Sequence, residues 1–368
     1  MAVGFYNFKE LHNEKLQADI IERFKEIVSK NAFVEGEYNT KFEQEFADYI
    51  QANHCLLLAN GTDALEIGLQ AYDIKPGDKV AISAISFFAT VECVINQGAH
   101  PIFVDVDPET GLICPDSLER IVNKYPDIKA VIPVHIYGLP APIEKIQPIC
   151  DAKGIAIVED GAQSHGGKYE NGKMIGSSAN LCTYSFYPTK NLGAFGDAGA
   201  ITAPNKKMAD KIMSIRNHGR SPDGHKLFGR NSRCDHLQAA VLDLKFQSFP
   251  KQNEQRKEVA KKYFDKLKDS KVELVPEKYL DISSWHLFPI RLSNKEEKYA
   301  MKEHLSKKGI GSALFYEKAM PEEKPCVDFP GEKEKAIEFA AKTLCIPMNP
   351  FVTDDEIKEV VKEIKAFF

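Results

Sequence analysis

Between residues 55 and 204 the apolar positions fall into short, nearly unbroken runs. The runs are Cys55-Leu56-Leu57-Leu58, Lys79-Val80-Ala81-Ile82, Pro101-Ile102-Phe103-Val104 and Ala130-Val131-Ile132-Pro133-Val134, followed by Ile155-Ala156-Ile157-Val158, Cys182-Thr183-Tyr184-Ser185-Phe186 and Ala198-Gly199-Ala200-Ile201-Thr202. Between many of them the apolar spacing becomes helical, over residues 63–71, 90–96, 115–123 and 142–153. Strands without polar alternation must be covered on both faces, so the pattern predicts an α/β fold with a mainly parallel sheet sandwiched by helices. In such sheets ligands gather beyond the carboxyl ends of the strands. That rule brings Asn60-Gly61-Thr62, Asp160 and residues 185–190 around one crevice.

The flanks read differently. Residues 11–29 and 40–51 have helical spacing before the sheet. After it, residues 235–249 read as one helix and 253–268 as a charged amphipathic one. A strand over 285–292 and helices over 295–307, 332–343 and 353–367 follow. The change of texture sets a boundary near residue 245, dividing a large α/β domain (1–245) from a smaller α+β domain (246–368). Residues 318–331, rich in Pro, Glu and Lys, read as an exposed loop.

Composition narrows the class. The 368 residues are 43% hydrophobic and 27% charged with a net charge of −5, and no basic run stands out. Neither nucleic acid nor a membrane is indicated as partner. No apolar run reaches the ~18 residues of a membrane span, and the first ten residues do not resemble a signal peptide. A cytoplasmic protein is expected. The eight cysteines contain no CxxC pair, so neither a metal site nor a disulfide framework is expected.

Three segments carry candidate chemistry. In Val158-Glu159-Asp160-Gly161-Ala162-Gln163, an acid at the mouth of a buried strand is costly unless paired. A pyridinium nitrogen would suit it, and so would a plain role as a cap on the next turn. In Ser185-Phe186-Tyr187-Pro188-Thr189-Lys190, a lysine follows a strand and precedes Gly193, Gly196 and Gly199. Such an amine can bond a carbonyl cofactor if its surroundings lower its pKa from about 10.4. The Ser185 hydroxyl can bind phosphate. Finally, Asn60-Gly61-Thr62-Asp63 opens a helix directly after a strand, where free N–H groups make an anion site.

These segments, with Ser86-Phe87-Phe88-Ala89-Thr90, residues 101–107, Val134-His135-Ile136-Tyr137-Gly138 and residues 231–240, resemble the pyridoxal-phosphate (PLP) dependent nucleotide-sugar aminotransferases. That family is a branch of the fold type I aminotransferases, and the resemblance extends over nearly the whole chain. It implies PLP as cofactor, with Gly61, Thr62 and Ser185 on its phosphate, Phe87 stacked on its ring, Asp160 on the ring nitrogen and Gln163 near the ring hydroxyl. Lys190 would be the catalytic residue, holding the cofactor as a Schiff base and shuttling the proton. Asn231 would reach the phosphate site of a neighbouring subunit, which implies a homodimer with shared active sites.

The implied partners are L-glutamate and a nucleotide-linked keto-sugar, dTDP- or UDP-linked, contacted by Tyr187 and Arg233. The implied setting is amino-sugar supply for surface glycans such as lipopolysaccharide O-antigen. Residues 190–199 and Asn231-Ser232-Arg233 look like the subgroup acting on 3-keto sugars rather than 4-keto sugars. Two positions depart from the common pattern: Phe315 precedes Tyr316 where many relatives have histidine, and Tyr187 stands where many relatives have histidine, tyrosine there being common in one subgroup. A sugar dehydratase of the same fold would lack Lys190, and a non-catalytic regulatory paralogue would have lost Lys190 or Asp160. A nicotinamide enzyme would need a glycine fingerprint that Leu58-Ala59-Asn60-Gly61 does not supply.

Overall fold

The computed structural model describes residues 2–368. Its central sheet has seven strands: β1 (His54–Leu58), β2 (Lys79–Ser83), β3 (His100–Val104), β4 (Ile128–Ile132), β5 (Ala156–Asp160), β6 (Leu181–Ser185) and β7 (Gly199–Ala203). They lie in the order β1-β7-β6-β5-β4-β2-β3. Only β7 runs against the rest; it is antiparallel to both β1 and β6, and the other pairings are parallel. Val80, Ala81 and Ile82 in β2 and Ala130, Val131 and Ile132 in β4 are fully buried, which explains the unbroken apolar runs. Each such large side chain contributes roughly 1.5–3 kcal/mol by leaving water.

Side chains alternate across a strand, and the end of β5 uses this. Glu159 faces a sealed network while Asp160, the next residue, faces the other side. The Ala141 N–H donates to His135 Nδ1 at 2.9 Å, which leaves the imidazole proton on Nε2, 3.0 Å from Glu159. Tyr169, Ser178 and Asn180 also donate to Glu159 at 2.6–2.9 Å. Burial alone would raise the Glu159 pKa; these donors outweigh it and hold the carboxyl below its ordinary value.

The flanking elements differ from the expected ones at points with local causes. The predicted helix over 235–249 stops at Phe246, and a second one, Phe249–Leu267, begins with Pro250 in its first turn. Proline lacks the N–H that a helix interior needs but suits a first turn. The helix predicted over 11–29 starts instead at Glu14 and runs to Lys30, with Asn13 capping it by accepting from the Leu16 N–H, and a short helix, Phe8–Leu11, precedes it. The predicted strand over 285–292 shortens to Phe288–Arg291, because Trp285 adopts a φ of 47°. It pairs with Thr343–Ile346 as a separate antiparallel ribbon.

Residues 318–331 are not the exposed loop their composition suggested. Ala319, Met320 and Cys326 are buried. The Met320 N–H donates to Ala84 O, the Phe103 N–H to Pro330 O and the Glu332 N–H to Phe103 O. The segment thus covers the outer edge of β3, where unpaired backbone groups would otherwise stand exposed. The chain's start crosses the boundary expected from its texture: Val3 bridges to Ile310, far along the sequence. That crossing carries Tyr6 to the rim of the site described next. Among the described residues, no helix is long and apolar enough to cross a membrane.

Candidate active site

Beyond the carboxyl ends of β1, β5 and β6, one cavity of about 530 Å³ is lined by Gly61, Thr62, Phe87, Asp160, Gln163, Ser185, Tyr187 and Lys190. These are the predicted site residues other than Asn231 and Arg233. The volume is of the size that holds a small molecule.

One corner of the cavity is made by backbones that approach closely. The helix Gly61–Ala71 starts directly after β1, and Asn60 caps it by accepting the Asp63 N–H at 2.7 Å. A Cβ on Gly61 would stand 2.7 Å from Ser185 Cβ, and one on Gly199 would stand 2.4 Å from the Asn60 carbonyl. Only glycine allows β1, β7 and β6 to meet here. The first N–H groups of the helix have no partner within it, and they open beside the Ser185 hydroxyl.

Asp160 is buried at the end of β5. One oxygen accepts the Ala162 N–H at 3.0 Å; the other has only the Thr90 hydroxyl, at 3.3 Å, and Thr90 is itself 2.6 Å from Ser86 Oγ. Burial raises the Asp160 pKa, opposed by the Ala162 N–H and by the charge of Lys190.

Lys190 follows β6 after a turn in which its N–H donates to Tyr187 O at 2.9 Å. Its amine opens on the cavity yet is enclosed by protein. Burial lowers its pKa to about 8, and the Asp160 carboxylate pulls it back up. Such an amine is partly neutral near pH 7 and can act as nucleophile or base. His165 and His286 stay neutral beside it, since burial pushes the first to about 3 and the second well below its usual value.

Gln163 is fixed from both ends: its Oε1 accepts the Tyr137 N–H at 2.6 Å and its Nε2 donates to the Tyr316 hydroxyl at 3.1 Å. The Phe87 ring is 61% exposed toward the opening, 6.5 Å from that of Tyr316. Tyr187, 52% exposed, stands at the rim. Asn231 and Arg233 lie outside the cavity. Asn231 is exposed and accepts from Arg233 Nε at 3.0 Å.

Residues 14–365 match the DegT/DnrJ/EryC1/StrS aminotransferase family. The chain belongs to that family. It is 37% identical over 363 residues to the "pleiotropic regulatory protein" of Geobacillus stearothermophilus, covering 96% of each. It is 30% identical over 378 residues to the dTDP-3-amino-3,4,6-trideoxy-alpha-D-glucose transaminase of Streptomyces venezuelae, covering 99% of this chain and 96% of that one. The fold superposes on the crystal structure of NtdA from Bacillus subtilis with bound cofactor PMP with a TM-score of 0.91, at 29% identity, over 100% of this chain and 85% of the other.

DegT/DnrJ/EryC1/StrS aminotransferases are PLP-dependent, and the cavity fits that cofactor. The glycine-only corner at Gly61 suits an anion, Asp160 offers an under-bonded buried carboxylate, and Lys190 offers an amine of lowered pKa. Three residues at or behind this cavity were not singled out from the sequence alone. Thr90 lies in the Ser86–Thr90 segment, where nothing local marks its contact with Asp160. His286, whose Nδ1 is 3.0 Å from Asn191 Oδ1, and Tyr6 are distant in sequence from the Lys190 loop, and no local spacing marks them.

Gly61→Ala tests the corner. The added methyl displaces Ser185, so affinity for PLP should fall at least tenfold in a spectroscopic titration while the circular dichroism stays unchanged. Unchanged affinity would show that the anion binds elsewhere.

Proposed function

We propose that this DegT/DnrJ/EryC1/StrS aminotransferase moves the amino group of L-glutamate to a nucleotide-linked keto-sugar, dTDP- or UDP-linked, at C3 rather than C4. The observation that carries the reading is the pairing of Lys190 and Asp160 at the floor of one cavity with a glycine-only anion corner. Gly61, Thr62 and Ser185 would hold the cofactor's phosphate, Phe87 and Gln163 would hold its ring, and Lys190 would supply the amine that bonds it. Bound there, PLP supplies an electron sink conjugated to the substrate's reacting carbon.

The chain's own groups do the rest. Asp160, buried at the end of β5, would pair with the ring nitrogen and keep it protonated, an attraction that the low local dielectric strengthens. Lys190 Nζ takes the proton from the donor's α-carbon and later delivers one to the sugar carbon, a task suited to an amine with a pKa near the working pH. Gln163, immobilised by Tyr137 and Tyr316, keeps a fixed orientation during both halves. Tyr187 at the rim is placed to meet the sugar.

C3 is supported by the resemblance of residues 190–199 and 231–233 to the 3-keto subgroup, and by the name of the S. venezuelae relative. The name of the G. stearothermophilus relative suggests regulation instead. Retention of both Lys190 and Asp160 in one cavity favours catalysis. Asn231 is exposed and outside its own chain's cavity, which supports a homodimer in which it and Arg233 serve the neighbouring site. All eight cysteines are unpaired, in keeping with a reducing, cytoplasmic setting. Amino-sugar supply for a surface glycan, including lipopolysaccharide O-antigen, is the biosynthetic role that goes with this substrate class.

With glutamate and a panel of keto-sugars, turnover should be found on a 3-keto nucleotide sugar, with kcat/KM at least tenfold lower on 4-keto isomers. Equal use of the 4-keto isomers contradicts the C3 assignment, and activity on a keto-sugar phosphate alone contradicts the nucleotide.

The shared site has its own test. Lys190→Ala and Asn231→Ala proteins, each impaired, should regain activity when mixed, because one site of the hybrid dimer then holds both native residues. If mass spectrometry shows subunit exchange and no activity returns, Asn231 serves its own chain or none.

A further inference from the structure

After the helix Lys206–Arg216 the chain makes a hairpin and returns beside its own start. At the base of the hairpin the His218 N–H donates to Arg230 O, the Arg230 N–H to Ile215 O and the Ser232 N–H to Arg216 O. Asn231 bridges to Asn217 in antiparallel fashion. In backbone paired this way successive side chains point to opposite faces. Arg230 and Ser232 turn onto their own chain, and Asn231 between them is exposed.

The two inward residues hold the elements that build the anion corner. The fully buried Ser232 hydroxyl accepts the Ala59 N–H at 3.2 Å, one residue before the helix cap Asn60. The Arg230 guanidinium pairs with Glu66 and lies 3.8 Å from Asp63, both on the helix Gly61–Ala71. Glu66 is buried, and its other oxygen accepts from Asn96 Nδ2 at 2.7 Å. A buried carboxylate is costly without such partners. Gln70, one turn further along that helix, donates to Phe228 O at 2.6 Å. On the outward side Asn231 Oδ1 accepts from Arg233 Nε at 3.0 Å, which leaves the Nδ2 donor for another group. A phosphate oxygen can only accept, so it needs such a donor.

We propose that Arg230 is a positioning residue for the neighbouring subunit's cofactor site: its grip on Glu66 holds the strand that presents Asn231. This rests on the shared-site reading and deepens it. Arg230 does not line its own chain's large cavity. Its partner Glu66 stands beyond the free N–H groups at the helix start, and that start is already capped by Asn60. The exposed hairpin, in contrast, is fastened to the helix Gly61–Ala71 through Arg230 and Gln70. The rival role for Arg230 is to steady that helix for its own chain's site.

The apoenzyme is titrated with PLP and followed by absorbance. Arg230→Gln and Asn231→Ala should each raise the PLP concentration for half-saturation at least fivefold. The protein with both changes should match Asn231→Ala within twofold, because Arg230 acts through Asn231. Effects that multiply would place Arg230 on its own chain's corner and overturn the proposal, and so would an unchanged affinity in Arg230→Gln. Mixing adds a second readout. Arg230→Gln protein should regain activity with Lys190→Ala protein but not with Asn231→Ala protein; the reverse result would show that Arg230 serves its own chain. Should Arg230→Gln fail to fold, Arg230→Met combined with Glu66→Met removes the pair without leaving a buried charge and enters both tests instead. If Asn231→Ala itself binds PLP as wild type does, the shared-site reading fails and this proposal falls with it.

Discussion

A carboxylate and an amine, Asp160 and Lys190, stand at the bottom of one cavity formed by strands that are otherwise apolar. Each resists its own charge there, since burial raises the one pKa and lowers the other. Each also steadies the other: the carboxylate raises the amine's pKa back toward its usual value, and the amine lowers the acid's. The balance leaves an amine near pKa 8 beside an acid with few hydrogen bonds. An apolar residue at either position would relieve the burial cost, and the chemistry proposed for the site would go with it.

The fold maintains this balance by assigning opposite duties to adjacent residues. Glu159 and Asp160 differ by one step along β5, so they face opposite sides of the sheet. Glu159 is saturated by His135, Tyr169, Ser178 and Asn180. That saturation locks the strand end and hence the position of Asp160. On the other side of the cavity the approach of Gly61 to Ser185, and of Gly199 to Asn60, brings three strand ends together. The reversed β7 is the piece that makes this possible, since it starts at Gly199, next to the Lys190 loop.

The sheet and the large cavity were legible in the sequence because both rest on local patterns. Unbroken apolar runs marked all seven strands, and residues at or just past the strand ends supplied Gly61, Asp160, Ser185 and Lys190. Errors came where a single residue overrode a pattern: Pro250 restarted a helix and Trp285 shortened a strand. The Lys318 to Gly331 stretch looked exposed because its composition is polar, while its backbone was needed to cover β3. Tyr6 and His286 could not be seen, because their place beside the Lys190 loop depends on contacts between segments distant in sequence. Asn231 and Arg233 were placed by resemblance, and in the single chain they lie apart from the other site residues.

Two lysines are pushed down to about pKa 8 by burial, Lys190 and Lys245. Lys245 donates to the Gly193 carbonyl and does not line the large cavity. A lowered pKa alone therefore does not identify the cofactor-bearing amine; its place opposite Asp160 does. Borohydride reduction of the PLP-loaded enzyme, followed by peptide mapping, separates the two. The adduct should be found on Lys190, whereas an adduct on Lys245 or any other lysine would contradict the account.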